Sequence, residues 1–423
     1  MNENLAINGG EKVINFEMDS YSTIGEEEKR LANEVLKSGK LSEYLGASGE
    51  FFRGGKFVNL LENKINEVFG SNHAVTFNSW TSGLIAQIGA IGIEPGDEII
   101  LPPWTMSATA ACILHWNAIP VFVDIDRNDF CINTDLIEEK ISERTRAILT
   151  VDIFGLPSNY SKLRNLCTKH NLILLGDSAQ APNAKIDGDH VGVLSDIGGY
   201  SLNYHKHIQS GEGGFAVTNN ENYANKMRLI RNHGESVIEK HDSMSLINNI
   251  GYNFRLGEIE SAVTIPQLNR IDFLVNSRIS VASKFIHKLK NLKGLEFPQS
   301  VFRSSNVFYI LPMILSEEIL EHRNLIMAAL KAEGVPSLIS KYTNVHRLPI
   351  FTNRIAFGSN GYPWTISRQE VFETYGTGAC PVAEEFYDKS FIGLHMCSKQ
   401  FSDRDIDYVV NAFIKVWDGL GLS

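Results

Sequence analysis

Cysteine is scarce in this 423-residue sequence, and long apolar runs are missing. The five cysteines are scattered, odd in number and free of C-x-x-C spacing, so neither a disulfide framework nor a zinc site is expected. No apolar run approaches the ~20 residues needed to span a membrane, and the first residues lack the basic patch and apolar segment of a signal peptide. We therefore expect a cytoplasmic protein with reduced thiols.

Excess positive charge is also missing. The formal net charge is −10 at pH 7 and the pI is about 5.7, which argues against non-specific binding to nucleic acid. A hydrophobic content of 43% and a charged content of 21% are ordinary for a globular protein. The length allows a large core and suggests two or three domains.

Predicted strands and helices alternate through the first half of the chain. This alternation indicates an α/β protein with a mostly parallel sheet covered on both faces. The predicted strands are 74–77, 97–101, 119–124, 145–151, 172–175 and 215–218. The predicted helices are 25–37, 57–69, 82–93, 108–116, 134–141 and 160–170.

A different pattern follows in the second half. A long helical stretch is predicted over 256–290, and an apolar strand pattern begins at Asn306. Helices predicted at 320–333 and 403–420 would surround a second, smaller sheet. We place a domain boundary near residue 280, with a large domain over 1–280 and a small C-terminal domain over 281–423.

A lysine between two histidines precedes a tight glycine cluster. Lys206 lies between His205 and His207, and the segment Gly211-Glu-Gly-Gly214 begins five residues later. Glycine permits unusual backbone angles and close approach of another group, so the turn could aim the lysine at a cofactor. A solvated lysine in a polar loop is the ordinary alternative.

Ser201, Lys206 and Gly211 stand five residues apart. With the Gly-Glu-Gly-Gly cluster, this spacing resembles the catalytic lysine segment of the DegT/StrS family of sugar aminotransferases. The resemblance implies the fold-type I architecture of transferases that use pyridoxal phosphate (PLP), with a large domain and a smaller C-terminal α+β domain. It also implies that Lys206 binds PLP covalently and that the Ser201 hydroxyl holds the phosphate.

An aspartate follows the predicted strand 172–175. Ligands of open α/β sheets lie beyond the carboxyl ends of the strands, where Asp177 could keep the pyridine nitrogen of PLP protonated. The segment Asp177-Ser-Ala-Gln-Ala181 resembles the family's Asp-x-Ala-Gln/His-Ala, which implies this role and places Gln180 beside the ring hydroxyl. A turn aspartate is the alternative.

Two further segments resemble family motifs around the cofactor. Residues 78–84 follow a strand and open a helix, which suits a phosphate site; the resemblance implies Thr81 and Ser82 as phosphate ligands, with Trp80 replacing the usual glycine. Residues 102–109 resemble the segment whose aromatic residue covers the cofactor ring. Met106 occupies that position and Trp104 stands two residues earlier, so either could cover the ring or belong to the core.

The segment Gly251-Tyr-Asn-Phe-Arg255 resembles the family's Gly-Tyr-Asn-Tyr-Arg. The resemblance implies that Asn253 reaches the phosphate bound by a neighbouring subunit, and hence a homodimer with shared active sites. An ordinary loop asparagine is the alternative.

The function that follows from the resemblance is transamination. Glutamate or glutamine would donate an amino group through PLP to a keto sugar, typically linked to a nucleotide, in amino-sugar biosynthesis for a cell-surface polysaccharide or a natural product. To react, Lys206 must be neutral, which burial and a nearby cation favour. Free keto-cyclitols stay open as acceptors.

Substrate contacts are harder to assign from the sequence. The candidates are the glycine-rich loop over 46–55, His205, His207, Lys341, Tyr342, His346 and Arg347. A solvated surface explains each of these residues at least as well.

Three other functions remain open. A PLP-dependent sugar dehydratase would carry histidine at the lysine position, and His205 and His207 adjoin it. A non-catalytic PLP-binding regulator would need a partner-binding module. A dinucleotide-dependent oxidoreductase would need a G-x-G-x-x-G fingerprint, which residues 78–84 do not match.

Overall fold

The structure is a computed structural model that describes residues 3–237, 247–298 and 304–423. Within these ranges the strands are, in chain order, β1 (His73–Phe77), β2 (Glu98–Leu101), β3 (Ile119–Phe122), β4 (Thr145–Val151), β5 (Ile173–Asp177), β6 (Lys185–Ile186), β7 (Asp189–His190), β8 (Ile197–Ser201), β9 (Gly214–Thr218), β10 (Leu295–Glu296), β11 (Ile310–Leu315), β12 (Leu338–Ile339) and β13 (Phe391–His395).

The helices of the same ranges cover both sheets. They are α1 (Glu26–Ser38), α2 (Lys56–Phe69), α3 (Trp80–Ala90), α4 (Ser107–His115), α5 (Tyr160–His170), α6 (Glu221–Arg231), α7 (Glu258–Asn269), α8 (Ile271–Leu289), α9 (Arg323–Ala332), α10 (Pro349–Thr352), α11 (Pro381–Glu385) and α12 (Asp403–Leu420).

A seven-stranded sheet forms the centre of the large body, in the order β1-β9-β8-β5-β4-β2-β3. Strands β8, β5, β4, β2 and β3 pair in parallel, whereas β9 is antiparallel to both of its neighbours. Strand β1 therefore runs in the same direction as β8. The carboxyl ends of β1, β5 and β8 consequently meet at one edge of the sheet, and this edge carries the candidate site.

The second sheet is antiparallel, in the order β10-β11-β13-β12. Its apolar face packs with α9 and α12 into a separate core. The α/β architecture and the smaller second sheet are as predicted. The predicted helices at 160–170 and 403–420 coincide with α5 and α12.

The predicted helix over 134–141 is wrong. Two short 3₁₀ turns, Thr134–Leu136 and Glu138–Lys140, occupy that segment. The backbone is already extended at Ile141, at φ −68° and ψ 133°, so the helical stretch is too short to form a stable α-helix.

The helical stretch predicted over 256–290 is interrupted at Arg270. The backbone there leaves helical values, at φ −125° and ψ 23°, and separates α7 from α8. The Arg270 guanidinium donates a 2.8 Å hydrogen bond to Glu28 of α1. This contact with another element holds the residue in its non-helical position.

The predicted boundary near residue 280 lies inside α8. Ile271 and Val275 of this helix belong to the large core, whereas Val281 and Phe285 belong to the small one. The chain later returns to the large body, because side chains between Val345 and Phe386 pack into the large core. The two-domain division at 280 stays a proposal that this change of core supports.

Candidate active site

A cavity of about 240 Å³ opens at the carboxyl edge of the main sheet. Its walls come from the start of α3, the start of α4, the end of β5 and the loop between β8 and β9. Asp177, Ser201 and Lys206 all line it, although they are separated along the chain. The sheet topology brings them together because parallel strands end at the same edge.

The loop between β8 and β9 fixes the position of Lys206. The backbone N–H groups of Leu202 and Tyr204 donate to the carbonyl oxygens of Gly213 and Gly211, both at 2.9 Å. Gly211 and Gly213 have φ values of +85° and +151°, which favour glycine. The glycine cluster thus closes the loop tightly and directs the lysine into the cavity.

The Lys206 side chain is only 7% exposed. Burial lowers its pKa to about 8, against the opposing attraction of Asp177 and Cys397. Its Nζ lies 4.0 Å from the ring centroid of Tyr309, which stabilises the ammonium form. The lowered pKa increases the neutral fraction of this amine near neutral pH, and nucleophilic attack on an aldehyde requires the neutral form.

Asp177 ends β5 and is buried at the floor of the cavity. Its Oδ1 accepts hydrogen bonds from the Trp80 indole N–H at 2.9 Å and from the Ala179 N–H at 3.2 Å. Its Oδ2 accepts one from the Thr109 hydroxyl at 2.7 Å. Burial raises the pKa of Asp177, while these donors and Lys206 lower it, so they favour the ionised carboxylate.

The N-terminus of α3 forms another wall. Ser79 is its N-cap, and its hydroxyl accepts the Ser82 N–H at 3.1 Å. The Ser82 hydroxyl donates to Asn78 at 2.7 Å, which engages it in the cap, whereas Ser79 and Thr81 line the cavity. Ser201 faces the same space. The first N–H groups of a helix have no intrahelical acceptor and attract anions.

Met106, not Trp104, has access to the cavity. Trp104 is fully buried, stacks at 15° on Phe386, and donates its indole N–H to the Tyr342 carbonyl oxygen at 3.1 Å. Met106 is 60% exposed and lines the cavity. Of the two candidates to cover a cofactor ring, Trp104 belongs to the aromatic core.

Gln180 and Tyr342 form a linked pair on one wall. The Gln180 Nε2 donates to the Tyr342 hydroxyl at 2.7 Å, and its Oε1 accepts the Phe154 N–H at 2.8 Å. Both ends of the amide are thus fixed. Gln180 is positioned to present a polar group to a flat ligand.

The two histidines beside Lys206 point to different places. His205 lines the cavity, whereas His207 is fully buried and its Nε2 meets the Val307 carbonyl oxygen at 2.8 Å. Burial lowers the pKa of His205 to about 4 and that of His207 to about 3. Both rings are neutral at pH 7, and His207 has no access to a ligand in this cavity.

Other predicted residues lie away from the cavity. Asn253 is exposed, and its Oδ1 accepts the Arg255 Nε–H at 2.7 Å. The loop over 46–55 contacts Asn232, whose Nδ2 donates to the Phe52 carbonyl oxygen at 2.8 Å, and it lines neither this cavity nor the neighbouring one. His346 is fully buried beside Glu384, at 3.0 Å, and is not available to a substrate.

A second cavity of about 570 Å³ adjoins the first through Tyr342, which lines both. It is basic, because Lys341 and Arg347 line it. Arg347 also pairs with Asp388 at 3.1 Å. The side-chain N and O atoms of Asn344 are buried in this wall without a hydrogen-bond partner among the described residues.

Sequence reasoning missed several lining residues. Thr109 ended the segment compared with the family motif, and Trp80 was noted only as an unusual replacement for glycine. Tyr309 lies in an apolar segment before β11 and carries no local signal. Its proximity to Lys206 arises only when the second sheet packs against the first.

The residues present fit PLP. An amine, a buried carboxylate and a helix N-terminus face one cavity, as Lys206, Asp177 and Thr81. These groups suit an aldehyde, a ring nitrogen and a phosphate carried on one flat ring. Hydrogen-bond donors around Asp177 favour the charged state that a protonated ring nitrogen needs.

The sequence matches the model of the DegT/DnrJ/EryC1/StrS aminotransferase family over residues 23–365. A UDP-N-acetyl-3-dehydro-alpha-D-glucosamine 3-aminotransferase of Acidithiobacillus ferrooxidans is 31% identical over 78% of this chain and 80% of that protein. A putative L-glutamine:3-amino-2,3-dideoxy-scyllo-inosose aminotransferase of Micromonospora echinospora is 29% identical over 100% of this chain and 99% of that protein.

Among solved structures, the chain is similar to Helicobacter pylori PseC, an aminotransferase involved in the biosynthesis of pseudoaminic acid. The TM-score is 0.79 and the identity 27%, covering 95% of this chain and 100% of that one. Within the described ranges, no helix has the length and apolar character to cross a membrane, and no His/Cys/Asp/Glu cluster suits a metal ion.

Proposed function

The chain belongs to the DegT/DnrJ/EryC1/StrS aminotransferase family and is a PLP-dependent aminotransferase; from this premise we propose that its amino acceptor is a nucleotide-linked keto sugar. The amino donor is glutamate or glutamine. The observation that carries the assignment is the meeting of Lys206 and Asp177 in one cavity. The comparisons favour this activity over a sugar dehydratase or a non-catalytic regulator.

The chemistry that PLP supplies when bound is an aldehyde that links to amines and a ring that accepts an electron pair. Asp177 is the anionic partner of the ring nitrogen. Thr81, Ser201 and the first N–H groups of α3 hold the phosphate, with Ser82 supporting this turn through its cap contacts. Gln180 and Met106 orient the ring from its hydroxyl side and one face.

Lys206 has two roles in this proposal. Its neutral amine attaches the cofactor, and, once displaced by the donor, it moves the proton from the donor's α-carbon. A pKa of about 8 suits both roles, since it allows both the neutral and the protonated form near neutral pH. The buried walls exclude water, so the proton is exchanged with Lys206 Nζ rather than with solvent.

The second cavity supports a phosphate-bearing acceptor. Lys341 and Arg347 bring positive charge to its wall, and Tyr342 connects it to the reacting cavity. A pyrophosphate there would place a linked sugar beside Lys206 and His205. His205 lines the cavity and is neutral at pH 7, so its ring would then lie beside the sugar.

A free keto-cyclitol is a second candidate acceptor. The putative cyclitol aminotransferase aligns with 100% of this chain, whereas the UDP-sugar enzyme aligns with 78%. A cyclitol carries no phosphate and would leave Lys341 without a role. The effect of replacing this lysine therefore separates the two candidates.

We also propose a cytoplasmic homodimer with shared sites. The Asn253 side chain is exposed, and its Oδ1 is engaged by the neighbouring Arg255. Tyr204, in the loop that carries Lys206, and Met106, which lines the cavity, are 70% and 60% exposed. A second subunit would cover these side chains. All five cysteines are free and buried, which suits a reducing compartment.

The experiment is an acceptor panel with glutamate or glutamine as donor. The purified protein is incubated with UDP-, GDP- and TDP-linked keto sugars and with a keto-cyclitol, and the keto acid product is measured. We expect turnover with a nucleotide-linked acceptor, a raised KM in Lys341→Ala and unchanged PLP binding in that variant. Turnover of the cyclitol alone, unaffected by Lys341→Ala, would establish the second candidate.

A second experiment tests the covalent link between Lys206 and PLP. Lys206→Ala should lose the borohydride-reducible absorbance and transamination, whereas Lys341→Ala should keep the absorbance. Site sharing is tested by mixing Lys206→Ala with Asn253→Ala subunits, which should restore one intact site per dimer. Full activity of Lys206→Ala, or unchanged PLP affinity in Asn253→Ala, would contradict the respective proposals.

A further inference from the structure

Trp80 occupies a slot made by three glycines. A Cβ at Gly199 would lie 1.9 Å from the indole Cη2, and one at Gly83 would lie 2.4 Å from its Cε3. A Cβ at Gly214 would lie 2.9 Å from the Trp80 Cβ. Real side chains do not approach this closely, so the indole depends on the missing side chains of α3, β8 and β9.

The slot orients the indole N–H toward Asp177, the proposed partner of the PLP ring nitrogen. Its donor atom lies 2.9 Å from Asp177 Oδ1, and Trp80 is 97 residues away along the chain. Trp80 is 4% exposed, so water does not compete for this hydrogen bond. Gly83 and Gly199 lie directly against the ring atoms and restrict its rotation on those sides.

The hydrogen bonds that Asp177 already accepts show which of its lone-pair sites is free for a ligand. An ionised carboxylate offers about four lone-pair sites, and Trp80, Ala179 and Thr109 fill three of them. Two of these donors bind Oδ1 and one binds Oδ2. The remaining site is therefore on Oδ2, which lines the cavity floor with the rest of the carboxylate.

We propose that Trp80 is a positioning residue, whose glycine-seated indole N–H occupies Asp177 Oδ1 and reserves Oδ2 for the ring nitrogen of PLP. The inference rests on the proposed role of Asp177. It gives a physical reason for the tryptophan at the turn where the family pattern has glycine. The large indole ring fits at this position because the residues packed around it are glycines.

The charged surroundings of Asp177 are few. Lys206 faces it from the loop after β8, Cys112 from α4 and Tyr342 from the segment after β12. Burial raises the pKa of the Cys112 thiol and raises that of Tyr342 to about 12, so both stay neutral near pH 7. Loss of a donor is then expected to act directly on the Asp177 carboxylate.

The test measures PLP affinity in Trp80→Phe, which keeps an aromatic ring but removes the N–H. We expect the dissociation constant to rise roughly 10-fold at neutral pH, since hydrogen bonds to charged groups are the stronger ones. The loss should grow as the pH falls, because an Asp177 with fewer donors protonates at higher pH. Thr109→Val, which removes the donor to Oδ2, should act in the same direction.

Trp116→Phe is the matched control. Its indole is also buried against a helix glycine, Gly89, and donates at 2.7 Å to the Ile85 carbonyl oxygen, away from Asp177. This variant should lose stability without changing the pH dependence of PLP affinity. If Trp80→Phe behaves like Trp116→Phe, the indole is only packing and the proposal is overturned.

A sulfur analogue covers the case in which Trp80→Phe does not fold. Benzothienylalanine incorporated at position 80 keeps the bicyclic shape and replaces the N–H with sulfur. A wild-type pH profile and affinity in this protein would refute the proposal. Failure of the wild-type protein itself to bind PLP would instead refute the proposed function.

Discussion

Removal of the Lys206 charge should stabilise the protein without its cofactor. Burial lowers the lysine pKa from 10.5 to about 8, and one pKa unit corresponds to about 1.4 kcal/mol. Holding the ammonium in the fold therefore costs up to about 3.5 kcal/mol below pH 8. Methionine has a similar length and carries no charge, so Lys206→Met removes this cost.

One loss reduces the gain. The Tyr309 ring no longer holds a cation at 4.0 Å, which is worth about 0.5–2 kcal/mol. The attraction of Asp177 for the ammonium is already included in the lysine pKa of about 8 and is not subtracted again. We therefore expect a net increase of about 1–3 kcal/mol in the free energy of unfolding near pH 7.

The pH dependence identifies the cause of this stabilisation. Between pH 8 and 10.5 the unfolded wild-type chain binds a proton at Lys206 that the folded chain has released. Wild-type stability therefore rises with pH across this interval, relative to the variant. The advantage of Lys206→Met should be full below pH 8 and should vanish towards pH 10.5.

The assay is urea unfolding of the PLP-free proteins at equal concentration across this pH range. Lys341→Met is the matched control, since this lysine is exposed and its replacement should change stability by less than about 0.5 kcal/mol. The reasoning fails if Lys206→Met is less stable than wild type near pH 7. It also fails if the difference between the two proteins does not depend on pH.

Three further predictions concern single contacts. Tyr309→Leu removes the ring that stabilises the Lys206 ammonium. The midpoint pH of PLP capture, followed by absorbance, should therefore fall below the wild-type midpoint near pH 8. Tyr309→Phe should keep the wild-type midpoint, and an unshifted midpoint in Tyr309→Leu would exclude the cation–π contact. Asp177→Asn removes the proposed partner of the ring nitrogen, so PLP affinity in equilibrium dialysis should fall roughly 100-fold. Wild-type affinity in this variant would refute the proposed role. Arg231→Leu leaves buried Glu62 without its partner at 2.6 Å, so the free energy of unfolding in urea should fall by about 3–5 kcal/mol. Lys56→Leu, which breaks an exposed pair with Glu34, is the control. Equal losses of stability in the two variants would contradict the argument.

The local sequence was sufficient for most of the main sheet. Apolar runs predicted β1 and β5, which end at the cavity, because side-chain periodicity reflects which face each element buries. They did not predict β8, because Gly198 and Gly199 interrupt its apolar pattern. The periodicity also failed over 134–141, where Thr134, Ile137 and Ile141 follow helical spacing but the backbone leaves helical values at Ile141. Helix formation there depends on packing that periodicity alone does not report.

The site was predicted in part for a similar reason. Lys206 and Asp177 were singled out from segments that resemble family motifs, and the structure places Asp177 at the end of β5 and Lys206 in the loop after β8. The choice between Trp104 and Met106 could not, because it depends on whether Phe386 stacks on the first. Phe386 belongs to a distant part of the chain.

By itself, the sequence determined which residues can carry the chemistry, since turn geometry and strand ends follow from a few neighbouring residues. Only the tertiary structure decided their protonation and orientation. Burial lowers the pKa of Lys206, Tyr309 lies against its amine, and Trp80 donates to Asp177 from 97 residues away. Desolvation and hydrogen bonding depend on what surrounds a group in space, and distant segments of the chain supply those surroundings.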